Sequence, residues 1–112
     1  MNPLFYEHEL QDRESRGFVI GHTGLLATRQ NGRIYLYRNR CPHRGIPLEW
    51  LEHQFLDPSG LLIQCATHGA RFLPESGLCV SGPCQGQSLE PVPFRVLDGG
   101  IFPDLQGSGG GA

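Results

Sequence analysis

The sequence predicts an all-β domain, built as a small β-sandwich or barrel. Glycine (16 residues) and proline (9 residues) are frequent, and the short segments between them are rich in β-branched and aromatic residues, which is typical of strands separated by turns. No long segment has the apolar periodicity of an amphipathic helix. With 112 residues, we expect a single domain with a small core.

Eight strands are predicted, at residues 17–22, 25–30, 33–38, 53–56, 61–64, 78–80, 94–97 and 100–102. Asn31-Gly32 predicts a tight hairpin, because both residues tolerate a positive φ. Asp57-Pro-Ser-Gly60 predicts a second turn. Cys41 and Cys65 then follow the ends of two strands, so we expect both to lie at one end of the sandwich.

Two compact Cys/His pairs are the candidate functional residues. Cys41-Pro-His43 and Cys65-Ala-Thr-His68 each place a thiolate next to an imidazole, a donor set that suits either Zn²⁺ or a [2Fe-2S] cluster with two Cys on one iron and two His on the other. The zinc alternative is the weaker one, because paired zinc ligands are usually separated by two to four residues.

Three segments carry a family resemblance. Cys41-Pro-His-Arg-Gly45 and Cys65-Ala-Thr-His-Gly-Ala-Arg-Phe72 resemble the two ligand loops of Rieske proteins, and Ser81-Gly-Pro83 resembles the proline-bearing loop that covers the cluster. The resemblance extends over about residues 15–102 and is nearest to small stand-alone Rieske ferredoxins. It implies a Rieske-like fold with a cluster-binding subdomain at one tip, about residues 40–85.

The same resemblance implies one [2Fe-2S] cluster per chain, with Cys41, His43, Cys65 and His68 as ligands. The residues expected around the cluster are Arg44, Gly45, Gly69, Ala70, Phe72, Gly82 and Pro83.

The sequence differs from respiratory Rieske proteins at informative positions. Ile46 and Thr67 stand where those proteins carry an extra pair of cysteines, so the disulfide between their cluster loops cannot form here. Ala70 and Phe72 replace a Ser and a Tyr that donate hydrogen bonds to cluster sulfurs in high-potential forms. Fewer donors stabilise the reduced cluster less, so we expect a midpoint of roughly −200 to −100 mV at pH 7.

The function implied by the resemblance is that of a soluble one-electron carrier without catalytic residues, which passes electrons from a flavin reductase to an oxygenase or other oxidoreductase. Two alternatives are a small Rieske-like subunit of a reductase such as nitrite reductase, and an iron-sulfur redox sensor. A net charge of −2 without a basic tract argues against nucleic-acid binding. With no leader or long apolar run, we expect no membrane attachment and a cytoplasmic location.

Several further residues have alternative interpretations. Cys79 and Cys84 are expected to be buried thiols, with a disulfide between them as the alternative, and two disulfides of a secreted domain are disfavoured. In residues 48–52, Leu48, Trp50 and Leu51 are expected to pack beneath the cluster, with a docking surface as the alternative.

The remaining predictions concern the charged residues and the chain ends. Arg40, Arg44 and Arg71 either give the cluster rim a positive potential or are solvated, with Arg71 pairing with a nearby carboxylate such as Glu75. Surface positions without a ligand role are expected for His8, His22 and His53. The domain is predicted to span residues 1–106, followed by a flexible Gly-rich tail at 107–112.

Overall fold

The computed structural model describes residues 2–42, 45–49 and 51–105, and within them the fold is almost entirely antiparallel β-structure. The only helical element in these ranges is a single 3-10 turn at Glu7–Glu9. The strands, in chain order, are β1 Phe5–Tyr6, β2 Glu14–Ile20, β3 Thr23–Gln30, β4 Arg33–Arg38, β5 Ile63–Gln64, β6 Arg71–Phe72, β7 Cys79–Ser81, β8 Phe94–Leu97 and β9 Gly100–Pro103.

The strands form three three-stranded sheets, in the orders β1-β9-β8, β2-β3-β4 and β5-β6-β7. The third sheet is the smallest and carries the second Cys/His pair between β5 and β6. Residues 90–92 run along the free edge of β4, since Arg38 N–H donates to Glu90 O (2.9 Å) and Val92 N–H donates to Leu36 O (2.9 Å). This segment follows the sheet β5-β6-β7 in the chain and bonds to the edge of the sheet β2-β3-β4. No helix in the described part of the chain is long and apolar enough to cross a membrane.

The all-β prediction is confirmed, and β4 and β8 have the predicted bounds. The Asn31-Gly32 hairpin is confirmed as well, since these residues have φ of 53° and 80°. The predicted strand at 53–56 is wrong. His53 has φ 66°, which interrupts the extended backbone, and only Leu56 makes an isolated bridge, to Ile63. The sequence did not predict β1 or β6, because two residues are too few to show an alternating pattern.

The apolar core has two parts. One includes Phe5 and Ile101 of the sheet β1-β9-β8 and Leu25 of the sheet β2-β3-β4. The other contains all four cysteines, together with large side chains such as Phe55 and Phe72. The two candidate cysteine ligands are therefore part of a packed core, so changes in core packing act directly on their positions.

Candidate functional site

The two cysteine loops have the same backbone hydrogen bonds. Cys41 N–H donates to Ile46 O (2.7 Å) and Gly45 N–H donates back to Cys41 O (2.6 Å). In the second loop, Cys65 N–H donates to Ala70 O (2.8 Å) and Gly69 N–H donates to Cys65 O (2.8 Å). Both turns close through a glycine of positive φ, Gly45 (71°) and Gly69 (70°). A residue with a Cβ is strained in this conformation. The glycine four residues after each cysteine is thus a structural requirement of its loop.

The two loops bring Cys41 and Cys65 together in the interior. Both residues are fully buried and belong to the same cluster of core residues. Burial raises the pKa of the Cys65 thiol, contact with Cys41 raises it further, and the backbone N–H groups of His68 and Thr67 oppose the shift by bonding to the sulfur. Those N–H groups favour the thiolate, which is the form that binds a metal.

Asn39 joins the first loop to the segment that follows it. Its Oδ1 accepts from Leu48 N–H (2.8 Å) and its Nδ2 donates to Glu49 Oε1 (2.8 Å), while Ala66 N–H donates to Leu48 O (2.8 Å). Leu48 is fully buried, in agreement with its predicted packing role, but Leu51 is 69% exposed and does not pack beneath the site as predicted. Trp50 lies outside the described residues. Through Asn39 and Leu48, the first cysteine loop is bonded to the second.

The Gly82-Pro83 loop packs directly against the second cysteine loop. A Cβ on Gly82 would lie 2.7 Å from the Cα of Ala70, and Gly82 has φ 101°. Ala70 and Phe72 are fully buried, whereas Pro83 is exposed. The predicted covering loop is therefore adjacent to the ligand loop, and only glycine fits at the point of contact.

Cys79 and Cys84 are buried free thiols, as predicted for reduced cysteines. Their sulfurs are 3.1 Å apart. Burial raises the pKa of the Cys84 thiol to about 12, with smaller contributions from hydrogen bonds and charges at Cys79 and Cys41. Cys84 therefore stays protonated at neutral pH, beside the sulfur of Cys79.

Tyr37 supports the turn that precedes Cys79. Its hydroxyl donates to Pro74 O (2.5 Å) from a buried position. A Cβ on Gly77 would lie 2.8 Å from the Tyr37 ring, so the ring fills the space against the turn. Burial, followed by the charges of Tyr35 and Glu75, raises the pKa of Tyr37 to about 12.

The histidines have different surroundings. His68 is exposed and lies next to the buried Cys65, and His43 lies outside the described residues. His8 and His22 are exposed, as predicted. His53 is also exposed, but it has a structural role that was not predicted, because its Nδ1 accepts from Gly17 N–H on the edge strand β2 (2.9 Å).

The arginine predictions have mixed outcomes. Arg40 is exposed, and its Nε lies 3.3 Å from the position of a Cβ on Gly45. Arg71 pairs with a nearby carboxylate, as the second interpretation expected, but that carboxylate is Asp57 (3.9 Å) and not Glu75, the example given. Burial by itself would raise the pKa of Asp57, but hydrogen bonds from Ser59 and Leu62 and the charge of Arg71 lower it below its ordinary value of 3.8. Arg44 is outside the described part of the chain.

The described residues fit a cluster with two buried thiolate ligands. Cys41 and Cys65 converge in the interior, backbone N–H groups bond to one of the two sulfurs, and an exposed imidazole follows in the same loop. Within residues 2–42, 45–49 and 51–105, no three His, Cys, Asp or Glu side chains are grouped to hold one metal ion.

Three supporting residues were not found from the sequence. Asn39 and Tyr37 contact partners 9 and 37 residues away, and Cys84 lies in the same buried cluster as Cys41, far from it along the chain. The only available signal was local, namely the position of Cys84 directly after the Gly82-Pro83 dipeptide. Contacts between residues so far apart in the sequence are determined by tertiary packing.

Comparison with known proteins agrees with this geometry. The model of the family "Rieske [2Fe-2S] domain" matches residues 1–97, and no curated protein matches the chain significantly. Among solved structures, the fold is similar to that of the ferredoxin of carbazole 1,9a-dioxygenase from Nocardioides aromaticivorans IC177, with a TM-score of 0.70, 19% identity, and coverage of 92% of this chain and 97% of that chain.

A second match is a complex of reduced oxygenase and oxidised ferredoxin in carbazole 1,9a-dioxygenase, with a TM-score of 0.72, 21% identity, and coverage of 92% of this chain and 91% of that chain. A third is the reduced complex between oxygenase and ferredoxin of carbazole 1,9a-dioxygenase, with a TM-score of 0.77 and 24% identity. It covers 92% of this chain, which spans only 27% of the matched chain. At these identities the structures show a shared fold.

The chain belongs to the Rieske [2Fe-2S] domain family. Membership implies a [2Fe-2S] cluster.

Proposed function

We propose that this Rieske-family chain is a one-electron carrier whose [2Fe-2S] cluster is held by Cys41, His43, Cys65 and His68. The observation that carries the proposal is the pair of equivalent loops, which place two buried cysteines in one core cluster and leave His68 exposed. The spacing of His43 from Cys41 in the sequence supports its place as the fourth ligand.

The cluster would supply one-electron redox chemistry. Two ferric ions, two sulfides and two thiolates have zero net charge when the imidazoles are neutral, so reduction adds only one negative charge, and this favours a higher potential than four cysteines would give. The chain contributes a dry environment around Cys41 and Cys65 and backbone N–H donors to the Cys65 sulfur. The exposure of His68 supports a role as the exit point for electrons.

The proposed partners are redox proteins, namely a flavin reductase as donor and an oxygenase or other oxidoreductase as acceptor, in the cytoplasm. Support comes from the ferredoxins of carbazole dioxygenase systems that share the fold over nearly their whole length. The exposed Arg40 beside the first loop would favour an acidic partner surface. No residue is assigned a catalytic role, since the proposed activity needs only the cluster and a path to the surface.

The test is the metal content and spectrum of protein purified without chelators. We expect about two irons and two acid-labile sulfides per chain, and a reduced EPR spectrum with an average g below that of all-Cys ferredoxins. His43→Ala and His68→Ala should each lose the cluster. The matched control is His22→Ala, an exposed histidine outside the site, which should retain it. One zinc per chain without labile sulfide would refute the proposal.

A further inference from the structure

Cys79 and Cys84 form a second pair of cysteines, separate from the proposed ligands. Both are buried free thiols, and their sulfurs are 3.1 Å apart, with the Cys84 S–H donating to Cys79. A disulfide has an S–S distance of about 2.05 Å, so bonding requires the two sulfurs to approach by about 1 Å. This gap is shorter than a single C–S bond, so rotation of the two side chains can close it.

The backbone holds both cysteines on one compact turn. Cys79 N–H donates to Gln87 O (2.8 Å), and Gly86 N–H donates to Cys79 O (3.2 Å). Gln87 N–H donates in turn to Cys84 O (2.9 Å). Because the same few residues bond to both cysteines, the turn keeps the two sulfurs adjacent and prepares them to react with each other.

Cys84 is a single buried residue within an exposed turn. The residues on either side of it, 82, 83 and 85–88, are all exposed. A turn with so few buried contacts opens locally at a low free-energy cost, and opening brings the Cys84 sulfur to solvent while the sheets stay folded. Burial raises the pKa of the Cys84 thiol to about 12, which makes the closed turn unreactive. We therefore expect any reaction to pass through the open turn.

We propose that Cys79 and Cys84 are a site of reversible oxidation, which a low-molecular-weight disulfide such as glutathione disulfide converts into an intramolecular disulfide. One cysteine, as a thiolate, attacks the oxidant and releases its first thiol, and the other cysteine then displaces the second. The two S–H bonds and the S–S bond of the oxidant break, the Cys79–Cys84 S–S bond forms, and both protons end on the two released thiols. A reducing dithiol reverses the reaction.

The disulfide locks the turn that packs on the second cysteine loop. A Cβ on Gly82 would lie 2.7 Å from the Cα of Ala70, so opening of the turn separates it from that loop. A covalent bond between the two cysteines removes most of the open conformations, and the closed turn becomes more populated. The inference does not rest on the proposed function, because neither cysteine is a proposed ligand.

The experiment incubates cluster-loaded protein anaerobically with glutathione disulfide, unfolds it in acid, alkylates the remaining thiols and maps the cysteine peptides by mass spectrometry. Wild type has four cysteines and should lose two alkylatable thiols, which return after treatment with dithiothreitol. Cys79→Ser and Cys84→Ser are the matched controls, and neither should form an intramolecular disulfide. Amide hydrogen exchange at residues 85–88 should slow roughly tenfold or more in oxidised wild type.

Three results would overturn the proposal. One is wild type that keeps all four thiols in an excess of glutathione disulfide. Another is a peptide map in which Cys79 or Cys84 is bonded to Cys41 or Cys65, and the third is a Cys79–Cys84 bond that leaves hydrogen exchange in the turn unchanged. Wild-type protein that holds no cluster refutes the proposed function instead, and the same peptide map on that protein still decides whether the Cys79–Cys84 bond forms.

Discussion

Replacing Gly82 with alanine tests whether the Gly82-Pro83 loop sets the position of the second cysteine loop. The new Cβ would lie 2.7 Å from the Cα of Ala70, whereas carbon atoms pack at about 3.5–4.0 Å. One of the two backbones must therefore move by about 0.8 Å or more. Since Ala70 O accepts the N–H of Cys65, that movement is transmitted to a proposed ligand.

The expected loss of stability has two contributions. A residue with a side chain at φ 101° is strained by about 1–3 kcal/mol, and overpacking against backbone adds about 1–3 kcal/mol. Together these are about 2–6 kcal/mol, a large part of the 5–15 kcal/mol that is typical of a whole domain. We expect Gly82→Ala either to lose the cluster during purification or to release it at a much lower temperature than wild type.

Gly86→Ala is the matched control, because Gly86 lies in the same turn with φ 92° and has no atom within 4 Å of its Cβ position. It should show the strain alone, about 1–3 kcal/mol, and keep its cluster. The assay is denaturant unfolding of holoprotein, followed by visible absorbance of the cluster, with iron and sulfide measured before unfolding. Equal losses of stability and equal cluster content in the two variants would show that the contact with Ala70 has no effect.

Three further predictions concern the surroundings of the site. Tyr37→Phe should lower the free energy of unfolding by about 1–3 kcal/mol, because Pro74 O loses its buried donor; an unchanged denaturant midpoint would contradict this. Since the pKa of Tyr37 is raised from 10.0 to about 12, wild type should lose stability as pH rises through that interval, and the Phe variant should lose less. Because the pKa of Asp57 is lowered from 3.8, its contribution is present above that pH and disappears as pH falls below it, so the stability of Asp57→Asn, measured by denaturant unfolding across pH 2–5, should depend less on acid than that of wild type. Ala70→Ser should raise the cluster midpoint if its hydroxyl bonds to a sulfur, and an unchanged potential with intact iron content would show that the hydroxyl does not reach one.

Predictions based on neighbouring residues were the most successful. The Asn31-Gly32 hairpin follows from the backbone freedom of those two residues, and the structure has the expected positive φ at both. The glycine four residues after each cysteine was expected only to lie near the cluster, but it closes its turn by an equally local hydrogen bond. These features depend on a few adjacent dihedral angles, so the local sequence contains the information that determines them.

Contacts between distant positions were decided by tertiary structure. The carboxylate that pairs with Arg71 is Asp57. It lies in the turn before β5, and β5 pairs with β6, whereas the expected example, Glu75, is closer along the chain. His53 interrupts a predicted strand. Its backbone O and its Nδ1 instead accept hydrogen bonds from Ser15 and Gly17 of β2. The presence of Cys84 and Cys41 in one buried cluster likewise depends on how the third sheet packs against the cysteine loops. The sequence by itself determined the all-β class and the spacing of the proposed ligands, while the surroundings of those ligands depend on packing between sheets, which no local pattern encodes.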